Sequence, residues 1–200
     1  MTDELVAAHG EVEKLMPCLH LPVQSGSNRV LRAMNRSHTT ETYLSILEKV
    51  RMARPDIALS GDFIVGFPGE TEEDFEATLR IVDAVAYASA YSFKYSARPG
   101  TPAAMMEGQI APRLMDERLQ RLQERINEHQ LAFNRSRIGL ETQVLIERKG
   151  RHKGQMIGRS PWLQSVHLST DASPGDIIDV TLAAAGPNSM TGAIHRKEAA

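Results

Sequence analysis

The sequence predicts an α/β domain followed by a small antiparallel β-barrel. Three observations lead there. Over the first two-thirds of the 200 residues, strand-like and helix-like patterns alternate, as in a parallel sheet with covering helices. A long, arginine-studded helical stretch follows. Beyond it, short β-rich runs alternate with Gly and Pro turns, the texture of a small all-β barrel. With 42% hydrophobic residues, the chain can bury a sizeable core.

The elements follow in order. Residues 2–15 read as the tail of a helix. Residues 18–23 form a short strand-like run closed by Gln24-Ser25-Gly26-Ser27. Ser27 can cap a helix through Asn35, with Val30, Leu31 and Met34 on one face. Thr39 or Thr40 can cap the next helix, on which Tyr43, Leu44, Leu47 and Val50 recur at helical spacing. Pro55 stops it, because the residue before a proline avoids helical angles. Residues 57–67 are apolar and β-rich, a buried strand turned by Pro68-Gly69. Thr71 caps a helix whose first turn carries Glu72, Glu73 and Asp74, where the helix dipole favours negative charge. Phe75, Leu79, Val82 and Ala86 form its apolar stripe. A third strand at 90–96 runs into the loop Arg98-Pro99-Gly100-Thr101-Pro102. Three strands are few for such a sheet, since a closed barrel needs about eight.

Pro112 opens a helix that runs to about Ile138, and Gly139 is placed to end it. Strand candidates then lie at 142–147, 155–158, 163–168, 177–181 and 189–195. The expected boundary puts residues 1–137, linking helix included, in the α/β domain and 138–200 in an OB-like barrel.

Composition narrows the function. No run of about 18 apolar residues exists, so no membrane span is expected, and the acidic, amphipathic start is unlike a signal peptide. The single cysteine, Cys18, cannot form an internal disulfide or supply the thiolates of an iron–sulfur cluster. A reducing, cytoplasmic setting follows. The net charge of −2 conceals −5 over residues 1–111 and +3 over 112–200. The basic half is compatible with nucleic acid.

In parallel α/β folds, ligands bind outside the carboxyl ends of the strands. Three polar or glycine-rich segments lie there: Gln24-Ser25-Gly26-Ser27, Gly66-Phe67-Pro68-Gly69-Glu70, and Lys94-Tyr95-Ser96 leading to Arg98. Gln and Ser suit ribose hydroxyls or an amino-acid head, and glycine lets a flat ring approach the backbone. Each segment alone also fits ordinary turn chemistry. Asp62 is the odd carboxylate in an apolar strand. It either faces a site or pairs with Arg98, Lys94 or a helix end. His20 and His38 show no metal-ligand spacing, and a strand histidine is ordinarily a core residue. Cys18 reads as a packed thiol. In the barrel, Arg148, Lys149, Arg151, His152, Lys153 and Arg159 surround Gly150 and Gly154, and Trp162 is close in sequence. A basic hairpin can grip a phosphate backbone, and an indole can stack on a base.

The segments His20-Leu-Pro-Val-Gln-Ser-Gly-Ser27, Asp62-Phe-Ile-Val-Gly-Phe-Pro-Gly-Glu-Thr71 and Phe93-Lys-Tyr-Ser-Ala-Arg-Pro-Gly-Thr-Pro-Ala103 together resemble the radical-SAM methylthiotransferases, closest to their tRNA-modifying branch. The ribosomal-protein branch carries a histidine where this chain has Ser25. The resemblance spans essentially the whole chain. It implies the second half of a radical-SAM (β/α) barrel followed by a TRAM domain, without the N-terminal cluster domain and first barrel half that would be its partners. It implies S-adenosylmethionine (SAM) as cofactor, with two [4Fe–4S] clusters in the intact enzyme and no cluster ligand in this chain. The implied reaction is methylthiolation at C2 of N(6)-dimethylallyladenosine next to the anticodon, with the tRNA anticodon stem-loop as partner and this chain alone inactive. Gln24, Ser25, Asp62, Ile64, Gly66 and Tyr95 would then contact SAM. RNA would meet Arg98, Arg148, Lys149, Arg151, Lys153, Arg159 and Trp162. Two other readings stay open: an RNA-binding module on an inert scaffold, and a ribosomal-protein methylthiotransferase.

Overall fold

Three strands, β1 (Cys18–His20), β2 (Ala58–Val65) and β3 (Ser89–Lys94), lie in that order in one sheet of the computed structural model, which describes residues 1–194. β2 and β3 pair in parallel, with Asp62 opposite Tyr91 and Ile64 opposite Phe93. Beyond β1, Gln24 makes a parallel bridge to Phe63. Helices α1 (Asp3–Glu11), α2 (Asn28–Ala33), α3 (Thr40–Ala53), α4 (Glu72–Val85) and α5 (Pro112–Arg135) complete the order expected for β-α units.

Local signals fix these elements. Ser27 accepts from the Val30 N–H at the start of α2. Thr39 caps α3, and Thr71 caps α4 in a reciprocal box with Asp74. The α3 helix stops two residues before Pro55. Apolar positions on α3 and α4 pack on one face of β2, where Leu59, Phe63 and Val65 join Tyr43, Leu47, Phe75 and Val82 in a core that also takes Leu122 and Ile126 of α5. Gly26 passes so close to α4 that a Cβ would lie 2.2 Å from the Ala77 carbonyl oxygen.

The strand expected to be buried throughout is buried on one face only. Ser60, Asp62 and Ile64 alternate with the core positions and remain half-buried, because the helices cover a single side. A short 3-10 helix, Pro102–Met105, begins at the last residue of the expected loop. The long helix ends at Arg135 rather than near Ile138, and Gly139 takes φ +87° just beyond.

Backbone contacts divide the chain into two units. One comprises Met1–Leu15 with Leu19–His129, the other Met16–Cys18 with the chain from Gln130 onward. The second holds β4 (Glu141–Lys149), β5 (Gln155–Arg159), β6 (Ser165–Ser169), β7 (Ile177–Ala185) and β8 (Met190–Ile194), closed into a barrel in the order β4-β5-β6-β8-β7. Val144, Ile146, Met156, Val166, Leu168, Val180, Leu182 and Met190 fill it. Four of its pairings are antiparallel, but β6 and β8 run parallel. A closed ring with an odd number of strands cannot alternate direction throughout, so one parallel pair is required. His195, the last residue of the strand expected at 189–195, lies outside the described residues. Among the described residues, no helix is long and apolar enough to cross a membrane.

Candidate functional site

A cavity of about 770 Å³ opens at the carboxyl ends of β2 and β3. Gln24, Asp62, Ile64, Tyr95 and Arg98 all line it. The three sequence segments thus converge because β1, β2 and β3 end on the same side of one sheet.

Each side chain has a local reason to be there. Gln24 sits at φ 76°, a left-handed conformation that costs a non-glycine residue about 1–3 kcal/mol. Its N–H donates to the Asp62 carbonyl and its carbonyl accepts from the Ile64 N–H, both at 2.9 Å, so the sheet holds the strained turn in place. Asp62 and Ile64 project from the open face of β2. Tyr95 continues β3, its N–H donating to the Val65 carbonyl at 2.8 Å, and its ring meets Phe67 edge-on at 5.3 Å. The Tyr95 hydroxyl is enclosed yet has no hydrogen-bond partner among the described residues.

Of the two alternatives the sequence left open for Asp62, the carboxylate faces the cavity and lies 3.5 Å from Nε2 of His20 rather than pairing with Arg98 or Lys94. Lys94 instead pairs with Asp116 at 2.6 Å. His20 is not a core residue: positions 20, 60 and 62 share the open face, and Nδ1 of His20 lies 2.9 Å from the Ser60 hydroxyl.

Ser25 and Gly66 lie outside the cavity lining. Ser25 is fully buried, its hydroxyl accepting from the Ser27 N–H at 3.2 Å. The Gly66 N–H donates to Glu70 at 2.8 Å, and at φ +75° a Cβ there would collide with Met115. Both residues shape the loops behind the site. Beside them, Asp74 accepts from the Ser27 hydroxyl, the Thr71 N–H and hydroxyl, and Arg29. Burial raises the Asp74 pKa, but the hydrogen bonds from Arg29, Ser27 and Thr71 outweigh it and hold the carboxyl well below its ordinary range.

Asn35 and Arg36 also line the cavity, and the sequence reading missed them. The available signal was an asparagine just past α2, where it takes φ 57° and turns the chain back toward the strand ends.

SAM carries a sulfonium cation, an amino-acid head, ribose hydroxyls and a flat adenine. The cavity offers a carboxylate, a guanidinium, a carboxamide, an unpartnered phenol and an apolar wall of Ile64 and Phe67, a donor set that fits such a molecule. A [4Fe–4S] cluster does not fit. Cys18 is the one cysteine, and the described residues contain no group of three or more His, Cys, Asp or Glu able to hold a metal.

In the barrel, Arg148 and Arg151 line a depression together with His152, while Lys149 and Lys153 stand exposed on the same hairpin. Arg159 lies two residues along β5 from Ile157, which lines the depression, about 7 Å at strand rise, and Trp162 lies beyond the end of β5; neither lines the depression itself. Arg159 pairs with Glu147 at 3.1 Å. The Arg137 guanidinium covers Trp162 at 4.8 Å and Phe133 at 4.6 Å, so the indole packs beside an arginine rather than beside the basic hairpin.

Residues 2–82 match the family model described as the Radical SAM superfamily. The chain is 66% identical, over 96% of its length, to the tRNA-2-methylthio-N(6)-dimethylallyladenosine synthase of Novosphingobium aromaticivorans. It is 64% identical over its full length to the enzyme of that name from Erythrobacter litoralis, and 60% identical over 96% to that from Zymomonas mobilis. It covers 43%, 45% and 43% of these relatives, so it spans less than half the length of the proteins it matches.

Proposed function

The chain belongs to the radical-SAM methylthiotransferase family, and from that premise we propose that it forms the SAM-cradling and RNA-holding part of a tRNA-modifying enzyme. The reaction is the one its relatives are named for, synthesis of 2-methylthio-N(6)-dimethylallyladenosine in tRNA, at the adenosine next to the anticodon. The observation that carries this reading is the single cavity gathering Gln24, Asp62, Ile64, Tyr95 and Arg98.

Bound SAM would supply the group that takes hydrogen from C2 of the target adenine, once reduced by one electron from a donor that the described residues of this chain do not hold. The residues of this chain bind and orient. Gln24, locked by Asp62 and Ile64 backbone bonds, aims its carboxamide at ribose hydroxyls or the amino-acid head. Ile64 and Phe67 exclude water along the adenine, and the enclosed Tyr95 hydroxyl gains the partner it lacks. Asp62 faces the cation, with His20 behind it. Arg98 takes a carboxylate or an RNA phosphate. The described residues hold no ligand set for a cluster. Residues 138–200 act as the TRAM domain, with Arg148, Lys149, Arg151 and Lys153 toward RNA, in the cytoplasm where tRNA is processed.

The test is nucleoside mass spectrometry of tRNA from cells whose chromosomal gene carries Asp62→Asn with Arg98→Ala. We expect 2-methylthio-N(6)-dimethylallyladenosine to fall and its unthiolated precursor to accumulate. Unchanged tRNA from cells lacking the gene would overturn the assignment.

A further inference from the structure

The barrel's outer wall carries a row of positions that the basic hairpin alone does not explain, exposed at Arg148 and Thr191, partly buried at His167 and covered at Ile157, which is 5% exposed. Arg148 on β4, Ile157 on β5, His167 on β6 and Thr191 on β8 are successive cross-strand partners. Partners in register share a face of the sheet. This face is the outer one, since Met156, Val166, Leu168 and Met190 alternate with the row and fill the core.

Two depressions, of about 320 and 390 Å³, meet along the row, and Gln155 and His167 wall both of them. The first opens among Arg148, Arg151 and His152, the second along Thr191, Gly192 and Ala193. Among the described residues, no aspartate or glutamate lines either. The turn that carries Arg151 is closed onto Gln155, the first residue of β5: the Gln155 carboxamide oxygen accepts from the Arg151 N–H at 3.1 Å, and the Gln155 carbonyl accepts from the Gly150 N–H at 2.7 Å. His167 is partly buried, and its enclosed Nδ1 has no hydrogen-bond partner among the described residues.

We propose that this row is a subsite for one unpaired RNA nucleotide, with Arg148 and Arg151 taking the phosphate and the base lying against the His167 ring. The proposal rests on the reading that the barrel binds RNA. Each depression is at the small end of the range for small-ligand sites. Cations at one end and a ring beside the small residues Gly192 and Ala193 at the other match a phosphate joined to a flat base. Stacking on a ring tolerates any base, so the subsite selects unpaired nucleotides over paired ones, not one sequence over another. An acidic peptide would use the cations but leave the ring without a planar partner.

The experiment uses the whole chain and fluorescence anisotropy with two probes, an unstructured nine-nucleotide RNA and a blunt RNA duplex. His167→Ala is expected to weaken the single-strand complex at least fivefold and leave its salt dependence unchanged, while His167→Phe retains binding. Arg148→Gln is expected to weaken both complexes and flatten the salt dependence by about one phosphate contact. Crosslinking of a 4-thiouridine RNA to the unsubstituted chain keeps the test open if His167→Ala does not fold: crosslinks within 155–157, 167 or 191–193 support the subsite. Single-strand binding by a folded His167→Ala within twofold of the parent overturns it, as do crosslinks confined to 159–163. Displacement of the RNA by polyglutamate as effectively as by unlabelled RNA also overturns it. Absence of any RNA binding by the parent chain defeats the RNA reading itself.

Discussion

Arg118 donates to Oε2 of Glu70 at 2.8 Å, and the two side chains retain only 3% and 1% of their exposure. The same carboxylate oxygen accepts the Gly66 N–H, and Arg118 also reaches the Glu70 carbonyl at 3.1 Å and Glu72 at 3.2 Å. One oxygen therefore joins the end of β2, the start of α4 and the first half of α5. Burial pushes the Glu70 carboxyl up, against the pull of the Gly66 N–H and Arg118. The strand end that forms the cavity wall is held from behind by this pair.

Arg118→Met should therefore destabilise the chain by about 3–5 kcal/mol, because it leaves a buried carboxylate without its counter-charge. Glu70→Gln keeps an acceptor for Gly66 and should cost less. Urea unfolding at neutral pH measures both. A loss below about 1 kcal/mol for Arg118→Met would show that the pair holds little.

Asp74 sets an acid limit. Its folded-state pKa is depressed below the ordinary value of 3.8, so its stabilising contribution is complete above that value. The contribution drains away as pH falls from there toward the depressed folded value. Asp74→Asn should lower stability at pH 7 by roughly 1.5–3 kcal/mol, the range for hydrogen bonds to a charged group. It should also flatten the fall in stability below about pH 4. Parallel acid-unfolding slopes for parent and variant would contradict the linkage.

The helices were legible in the sequence because their signals are local. Thr71 with Asp74, Ser27 with Val30 and the stop before Pro55 each act within a few residues. The convergence of Gln24, Asp62 and Tyr95 was legible because parallel strands place their carboxyl ends together. What stayed hidden depends on which face is covered. The pattern at 57–67 does not reveal that helices shield only one side, and hence it did not predict His20 beside Asp62. Trp162 was adjacent to the basic residues in sequence, but β5 carries it away from the hairpin. His167 passed unnoticed because a lone strand histidine gains meaning only from its cross-strand neighbours.

Gln24 separates strain from function. Gln24→Gly removes the cost of φ 76° and should leave stability equal to the parent or higher by up to about 1 kcal/mol. It also removes the carboxamide from the cavity, so SAM binding should weaken by roughly 5–10-fold, one neutral hydrogen bond. Thermal melting and titration calorimetry give the two readings. Unchanged SAM affinity in a stable Gln24→Gly variant would remove Gln24 from the binding set.

Tyr91 and Phe93 on β3 are 62% and 53% exposed, and they stand opposite Asp62 and Ile64 on the same uncovered side. β3 is an edge strand, so an apolar face adjoins a row of backbone groups able to pair with another strand. Folded proteins rarely leave such a surface uncovered without a partner. The 200-residue chain should therefore bind an environment-sensitive apolar dye and associate as concentration rises. Tyr91→Lys with Phe93→Lys should suppress both effects while shifting the melting midpoint little, because neither ring belongs to the core. Sedimentation velocity over a concentration series checks the association. A dye-silent, monomeric parent chain would mean that this face is satisfied within the chain itself.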